Sequence, residues 1–176
     1  MECKCNDAIN VQFSREHEGC VVPSKRFADA GMDIYCDPCF LENGFKVVKP
    51  LETIMIPTGI RAIVPPTHYL QVAERGSTGV KAMKYGAGVI DSSYRGIINV
   101  VITNCNNVDI VLYDDKKIKD PLIYGATGAI CYPISKGIAQ LLLLPVPKVK
   151  ITEITPEEVL VNKTERMEGK LGSSGK

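Results

Sequence analysis

The sequence predicts an all-β domain, a sandwich or barrel, and three observations carry the prediction. Short β-branched and aromatic runs recur along the chain, turn residues separate them, and no long 3.6-residue apolar stripe interrupts them. Phe45–Val48, Glu52–Ile56, Ile60–Val64 and Tyr69–Ala73 read as strands. Asn43-Gly44, Pro57-Thr58-Gly59 and Val64 to His68 are the turn chemistry between them. Gly88–Asp91, Ile97–Thr103, Val108–Tyr113 and Ala139–Leu144 continue the strand pattern. Helical turns are expected only at Gly79–Lys84 and Pro156–Glu158. Asp114 to Pro121 is a charge run, read as a solvated hairpin tip or loop. The last segment, 162–176, is polar and Gly/Ser-rich, a tail whose amides can order over a phosphate.

Composition narrows the classes. The 176 residues are 45% hydrophobic and 23% charged, which fits one globular domain. A net charge of +1 argues against a protein that lives on nucleic-acid backbone. The opening MECKCNDAIN has no apolar stretch of signal-peptide type, and Ile138 to Val146 falls short of the about 20 residues that span a bilayer. With 7 Cys, an odd number, the expectation is a cytoplasmic protein with reduced thiols and no membrane partner. Cys36-x-x-Cys39 and Cys3-x-Cys5 do not have paired zinc-knuckle spacing, and His17 and His68 stand isolated in sequence. Cys36 and Cys39 therefore read as two ordinary loop thiols.

Three polar clusters remain. Arg75-Gly76-Ser77-Thr78-Gly79 combines a guanidinium, two hydroxyls and bare amides, a set that either wraps an anion or forms a surface turn after a strand. Gly88-Val89-Ile90-Asp91 is an apolar strand ending in a carboxylate, with Tyr94 three residues on. Asp91 there is a candidate general base and Tyr94 a ring for a sugar or base; the alternative is an Asx-turn with a half-buried tyrosine. Gln140, inside the apolar strand, is either a satisfied core amide or a group aimed at a ligand.

Taken together and in order, these segments resemble the five motifs of the trimeric dUTPase family. They are Ala30-Gly31-Met32-Asp33-Ile34, Arg75-Gly76-Ser77, Gly88-Val89-Ile90-Asp91-x-x-Tyr94-Arg95-Gly96, Gly137-Ile138-Ala139-Gln140-Leu141 and Arg166-x-x-Gly169-x-Leu171-Gly172-Ser173-Ser174-Gly175. No single motif is specific; the five in sequence, from about Ala30 to Gly175, are. The resemblance implies a distorted jelly roll that forms a homotrimer with interface active sites. It implies hydrolysis of dUTP to dUMP and pyrophosphate, which keeps uracil out of DNA and supplies dUMP for thymidylate synthesis. Asp91 matches the carboxylate that activates water, and Tyr94 the ring under the deoxyribose. Arg75, Gly76, Ser77 and Gln140 match phosphate-side groups. Gly88, Val89, Ile90 and Asn99 match further substrate-binding positions, and Asp33 a supporting carboxylate. Arg166, Leu171, Gly172 and Ser173 match a C-terminal arm, 162–176, that follows a domain 1–161. Mg2+ is implied as cofactor, held through substrate phosphates and water with no direct protein ligand.

The chain departs from the pattern at several positions. Gly76 takes a usual Ser position, and Tyr85 falls where an Asn is common. Lys136-Gly137 replaces Asp-Arg, Leu171 stands where a Phe caps the base, and Met167 and Lys170 occupy usual Gly positions. The segment 108–131 reads as an insertion, a structural hairpin or else a protein-partner surface. Two other functions compete: a nucleotide-sensing or repressor-binding protein on the same fold, and dCTP deaminase. The latter lacks its base, because Val101 occupies the Glu position of the run Arg95 to Asn104.

Overall fold

The computed structural model describes residues 8–164. The strands among them are β1 (Gln12–Arg15), β2 (Gly31–Ile34), β3 (Phe45–Val48), β4 (Thr53–Pro57), β5 (Ile60–Ile63), β6 (His68–Ala73), β7 (Met83–Gly86), β8 (Val89–Ile90), β9 (Asn99–Asn104), β10 (Ile110–Tyr113), β11 (Ile130–Pro133) and β12 (Ala139–Pro145). Two short helices, α1 (Gly76–Gly79) and α2 (Pro156–Val161), complete the regular structure with three 3-10 turns. Contacts divide the chain into a compact unit, Met1–Val146, and a second unit, Pro147–Lys176.

The first unit is a distorted jelly roll. Its sheets run β2-β12-β6-β8, β4-β9-β7, β11-β10-β3 and β1-β5 around one apolar core. Period-2 alternation builds it: along β9, Val100, Ile102 and Asn104 point inward while Asn99, Val101 and Thr103 are half-buried. β10, paired on both sides, buries Ile110, Val111 and Leu112 completely. Each such aliphatic side chain is worth about 1.5–3 kcal/mol of transfer free energy. Asn104 pays its way into the core by hydrogen bonding: its Nδ2 donates to the carbonyls of Val48 and Val108, both at 2.9 Å.

The eight strands anticipated from pattern all occur, with boundaries shifted by a few residues. Four others were not anticipated, each for a local reason. β1 is polar, β2 contains Gly31 and Asp33, β7 contains Gly86, and β11 ends in Pro133; pairing in the sheet overrides these residues' low strand preference. The helical turn expected at Gly79–Lys84 lies earlier, at Gly76–Gly79. Met83 and Lys84 instead enter β7, where Met83 pairs with Asn104 and is fully buried.

The region 108–131 is not a hairpin. β10 pairs antiparallel with β3 and parallel with β11, so the chain between them crosses over through a 3-10 turn at Pro121–Tyr124. The Tyr124 ring stacks on Phe45 at 3.9 Å between centroids. Nor is the charge run fully solvated. Asp114 is buried, its backbone N–H donates to Gly44, and its carbonyl accepts from Lys117 and Ile118; the Ile118 side chain is buried too.

In the second unit, α2 starts at a capping box. Thr155 Oγ1 accepts from the Glu158 amide at 3.2 Å and Glu158 Oε2 accepts from the Thr155 amide at 2.8 Å, with Pro156 opening the helix. Among the described residues, no helix is long and apolar enough to cross a membrane.

Candidate active site

β2 and β12 lie side by side with Asp33 opposite Gln140, and β12 places Gln140 opposite Ala73 of β6. Two residues past β6 comes Arg75, so three separate segments converge at one end of the four-stranded sheet. The Arg75 guanidinium grips Asp33 with two parallel bonds, Nε to Oδ1 and Nη2 to Oδ2, both 2.8 Å. Its Nη1 donates to the Gly137 carbonyl at 2.8 Å. Burial of Arg75 would lower its pKa, but the Asp33 bond and charge outweigh that and raise it above the ordinary arginine value. Thr78, buried on α1, shapes the turn: its hydroxyl donates to the Arg75 carbonyl at 3.0 Å and accepts the Arg75 amide at 3.2 Å. Gly76 and Ser77 are left exposed.

These groups border a cavity of about 930 Å³ lined by Arg75, Ser77, Gln140, Lys25 and Arg26 among others. Gln140 serves two ends at once. Its Nε2 donates to the Glu74 carbonyl at 2.6 Å, while its side chain lies over Gly31 at the cavity wall. The two carboxylates that line this cavity are already occupied: Asp33 by Arg75, and Asp29 by Arg26 at 2.8 Å. That donor set holds guanidinium groups, and it fits a metal ion that arrives on an anionic ligand better than one bound directly by protein oxygens.

Asp91 and Tyr94 lie elsewhere. They border a second depression, about 200 Å³, with Val89, Ile90, Asn99 and Met55, which shares no lining residue with the first. The Asp91 carboxylate is exposed, and among the described residues nothing hydrogen-bonds or pairs with it. The Asp91 carbonyl accepts the Tyr94 amide at 3.0 Å, and the Tyr94 hydroxyl donates to the Ile97 carbonyl at 3.0 Å, so the turn holds the ring in place. Asn99 Nδ2 donates to that same carbonyl at 3.0 Å. β8 is the edge of its sheet, paired only with β6, which leaves Val89 exposed and one rim of main-chain groups open. Gly88 sits at the start of this strand, its carbonyl accepting the Val72 amide at 2.8 Å.

Of the residues proposed from sequence, Asp33, Arg75, Gly76, Ser77 and Gln140 gather at the large cavity, and Val89, Ile90, Asp91, Tyr94 and Asn99 at the small one. Arg166, Leu171, Gly172 and Ser173 lie outside the described residues, as do Cys3 and Cys5. Tyr85 turns inward: its hydroxyl bonds to the Ile138 carbonyl, and burial pushes its pKa up to about 12. Tyr132, on β11, reaches the Arg75 guanidinium and was not anticipated, because nothing in the run Ile130-Cys131-Tyr132-Pro133 marks it.

His17, read as isolated, is not. Its Nε2 lies 3.0 Å from Asp37 Oδ1 and 3.2 Å from Cys20 Sγ, and Cys39 completes a cluster of donor atoms within 4.8 Å. The Gly19 amide donates to His17 Nδ1 at 3.1 Å, which leaves Nε2 facing Asp37 and Cys20, and the group forms a hydrogen-bonded clasp between two loops. Gly59, at φ +65°, backs it; a Cβ there would collide with Cys20 Sγ and approach Asp37 Oδ2 to 3.1 Å. Cys36 is buried and desolvation pushes its thiol up to about 12, whereas Cys39 is exposed.

The fold is a jelly roll with a cavity lined by Arg75, Arg26, Lys25 and Ser77 at one place and an unpartnered carboxylate beside an aromatic ring at another. The family model for dUTPase matches residues 17–119. The chain is 32% identical over 178 residues to a deoxyuridine 5'-triphosphate nucleotidohydrolase of Wolbachia pipientis subsp. Culex pipiens, covering 97% of this chain and 98% of that one. A Candida albicans protein of the same name is 35% identical over 123 residues, 69% of this chain and 64% of the relative. The chain belongs to the dUTPase family. Among solved structures, the fold is similar to a mutant dUTPase of Staphylococcus bacteriophage 80alpha with dUpNHpp, at TM-score 0.69 and 22% identity, covering 95% and 99% of the two chains. It is also similar to the native EIAV dUTPase, at TM-score 0.60 and 21% identity, covering 88% and 100%.

Proposed function

We propose that the chain hydrolyses dUTP to dUMP and pyrophosphate, as a dUTP diphosphatase whose sites are shared between copies of a homotrimer. The observation that carries the reading is the Asp91 carboxylate, exposed and unengaged among the described residues, beside the fixed ring of Tyr94. A carboxylate free of ion pairs is available to take a proton from water.

In this reading Asp91 orients and deprotonates the water that attacks the α-phosphorus, while Tyr94 packs under the deoxyribose and excludes a 2′-hydroxyl. The open rim of β8, Gly88 to Ile90, pairs with the uracil edge as another strand would, and a 5-methyl group is crowded out. Arg75 and Ser77 receive the phosphates, with Gln140 at the wall. Magnesium, brought on the phosphates and water, supplies neutralising charge on the triphosphate. The segment 162–176 serves as the arm over the nucleotide. The reaction is assigned to the cytoplasm, on the expectation of reduced thiols in a chain with 7 Cys.

The separation of the two half-sites supports sharing between copies. One nucleotide needs both the carboxylate and the cationic cavity, yet Ile90, next to Asp91, pairs with Leu70, while Arg75 lies beyond the other end of β6, on the order of 15 Å further along the strand. The test is pyrophosphate release with Mg2+ from dUTP, UTP, dTTP and dCTP, with products separated by chromatography. Release from dUTP alone is expected. Binding of dUTP without release would instead favour a nucleotide sensor.

A further inference from the structure

Arginine carries five N–H donors, and the fold engages most of those on Arg75 before any ligand arrives. Asp33 takes one from Nε and one from Nη2, each at 2.8 Å. Nη1 donates to the Gly137 carbonyl at 2.8 Å and lies 3.2 Å from the Ser77 hydroxyl and 3.5 Å from the Tyr132 hydroxyl. What remains is the second Nη2 hydrogen and the hydroxyl of Ser77, and both belong to residues lining the large cavity.

Thr78 fixes the main chain of the turn that carries these donors, but the side chains themselves have little around them on that side. Gly76 and Ser77 are exposed, and a Cβ on Gly76 would meet nothing within 4 Å. Support comes from β11, on a different sheet. Tyr132 is 1% exposed, and its hydroxyl donates to the Gly137 carbonyl at 2.7 Å. The phenolic oxygen is then free to accept from Arg75 Nη1, and it lies 3.4 Å from Ser77 Oγ, whose rotatable hydrogen is left to turn towards a phosphate oxygen. One buried hydroxyl thus touches both residues and shares their carbonyl anchor. Gly137 makes room for the arrangement: a Cβ there would lie 3.2 Å from Asp33 Cγ and 3.3 Å from Arg75 Nε.

We propose that Tyr132 is a positioning residue for the triphosphate, holding the Arg75 guanidinium and the Ser77 hydroxyl in place at the large cavity. The inference rests on the dUTP reading of that cavity. It predicts an effect confined to the phosphates, since base and sugar are assigned to the other depression. Donors already fixed bind an anion without first being ordered, and that advantage is lost when the hydroxyl is removed.

Tyr132→Phe keeps the ring and removes only the hydroxyl. Expected is a rise in KM for dUTP of about 5- to 20-fold, at or below the low end of what a hydrogen bond to a charged group is worth, because the guanidinium keeps its bonds to Asp33 and Gly137. Inhibition by deoxyuridine, which has no phosphate, should stay within about twofold. Affinity for tripolyphosphate with Mg2+, measured by calorimetry, should fall by the same factor as KM rises, and this readout needs no turnover. Gly137→Ala, which presses on Asp33 and Arg75, should show the same selectivity by an independent route if the tyrosine variant fails to fold. Unchanged tripolyphosphate affinity in a folded Tyr132→Phe protein overturns the proposal, and so does an equal loss of deoxyuridine. Should the wild-type protein bind tripolyphosphate but leave dUTP intact, the hydrolytic reading falls while the variant comparison still decides the role of Tyr132.

Discussion

Gly96 lacks a side chain where the Tyr94 ring needs the space: a Cβ would stand 2.9 Å from the ring's Cε2. Among the described residues the ring's hydroxyl is anchored on the Ile97 carbonyl and Tyr94 is 45% exposed, so an added Cβ can force the ring outward against that one bond. Gly96→Ala should therefore tilt Tyr94 and relax the exclusion of the 2′-hydroxyl. The kcat/KM ratio of dUTP over UTP is expected to drop by about tenfold, equivalent to about 1.4 kcal/mol of discrimination. An unchanged ratio would mean that Tyr94 does not read the sugar. Residue-level legibility was uneven for a physical reason. Arg75, Asp91, Tyr94 and Gln140 stand out in the sequence because motif spacing marks them, and the structure places each at the border of a depression. Tyr132 and the His17–Asp37 clasp could not be read that way. Their partners are distant in the chain, Tyr132 lying 57 residues from Arg75 and His17 lying 20 from Asp37, so only folding brings them together.

At the scale of elements, β9 joins the halves of the core through Asn104, which donates to carbonyls on either side. Asn104→Ala leaves the Val48 and Val108 carbonyls short of a donor in a buried place and should destabilise the protein by about 2–3 kcal/mol. Urea unfolding measures that directly, as a lowered midpoint with an unchanged slope. The loop after β2 gives a pH prediction. Cys36 is pushed up to about 12 in the folded protein by burial, against about 8.5 in an unfolded chain. Its folded pKa is the higher one, so the contribution is complete below about pH 8.5 and is lost as pH rises towards about 12, at about 1.4 kcal/mol per pH unit. Stability should decline between about pH 9 and 11, and Cys36→Ala should flatten the decline even though it lowers stability overall. Equal slopes in the two proteins would assign the decline to other groups, Tyr85 first among them. Strands rich in β-branched residues were legible because pattern and burial agree. β2, β7 and β11 were not, since glycine, aspartate and proline there are tolerated only through the partners that β12, β9 and β10 provide. The parallel pairing of β10 with β11 was equally invisible, because alternation along one strand says nothing about the direction of its neighbour.

At the scale of the whole molecule, the proposed site joins Asp91 of one copy to Arg75 of another. A single chain holds the two groups in separate depressions, and a motif order read along one sequence cannot show that they serve different sites. The most direct measurement mixes two inactive variants. Asp91→Asn and Arg75→Ala are purified separately, each expected to lose at least about a thousandfold in dUTP turnover. They are then unfolded, combined and refolded together. In mixed assemblies some sites pair an intact Asp91 with an intact Arg75, while others carry both changes. Pyrophosphate release is expected to return to a sizeable fraction of the wild-type rate in the mixture and not in either variant refolded alone. A mixture as inactive as its components, with mixed assemblies confirmed by native mass spectrometry, would contradict it and place both groups in the same chain's site.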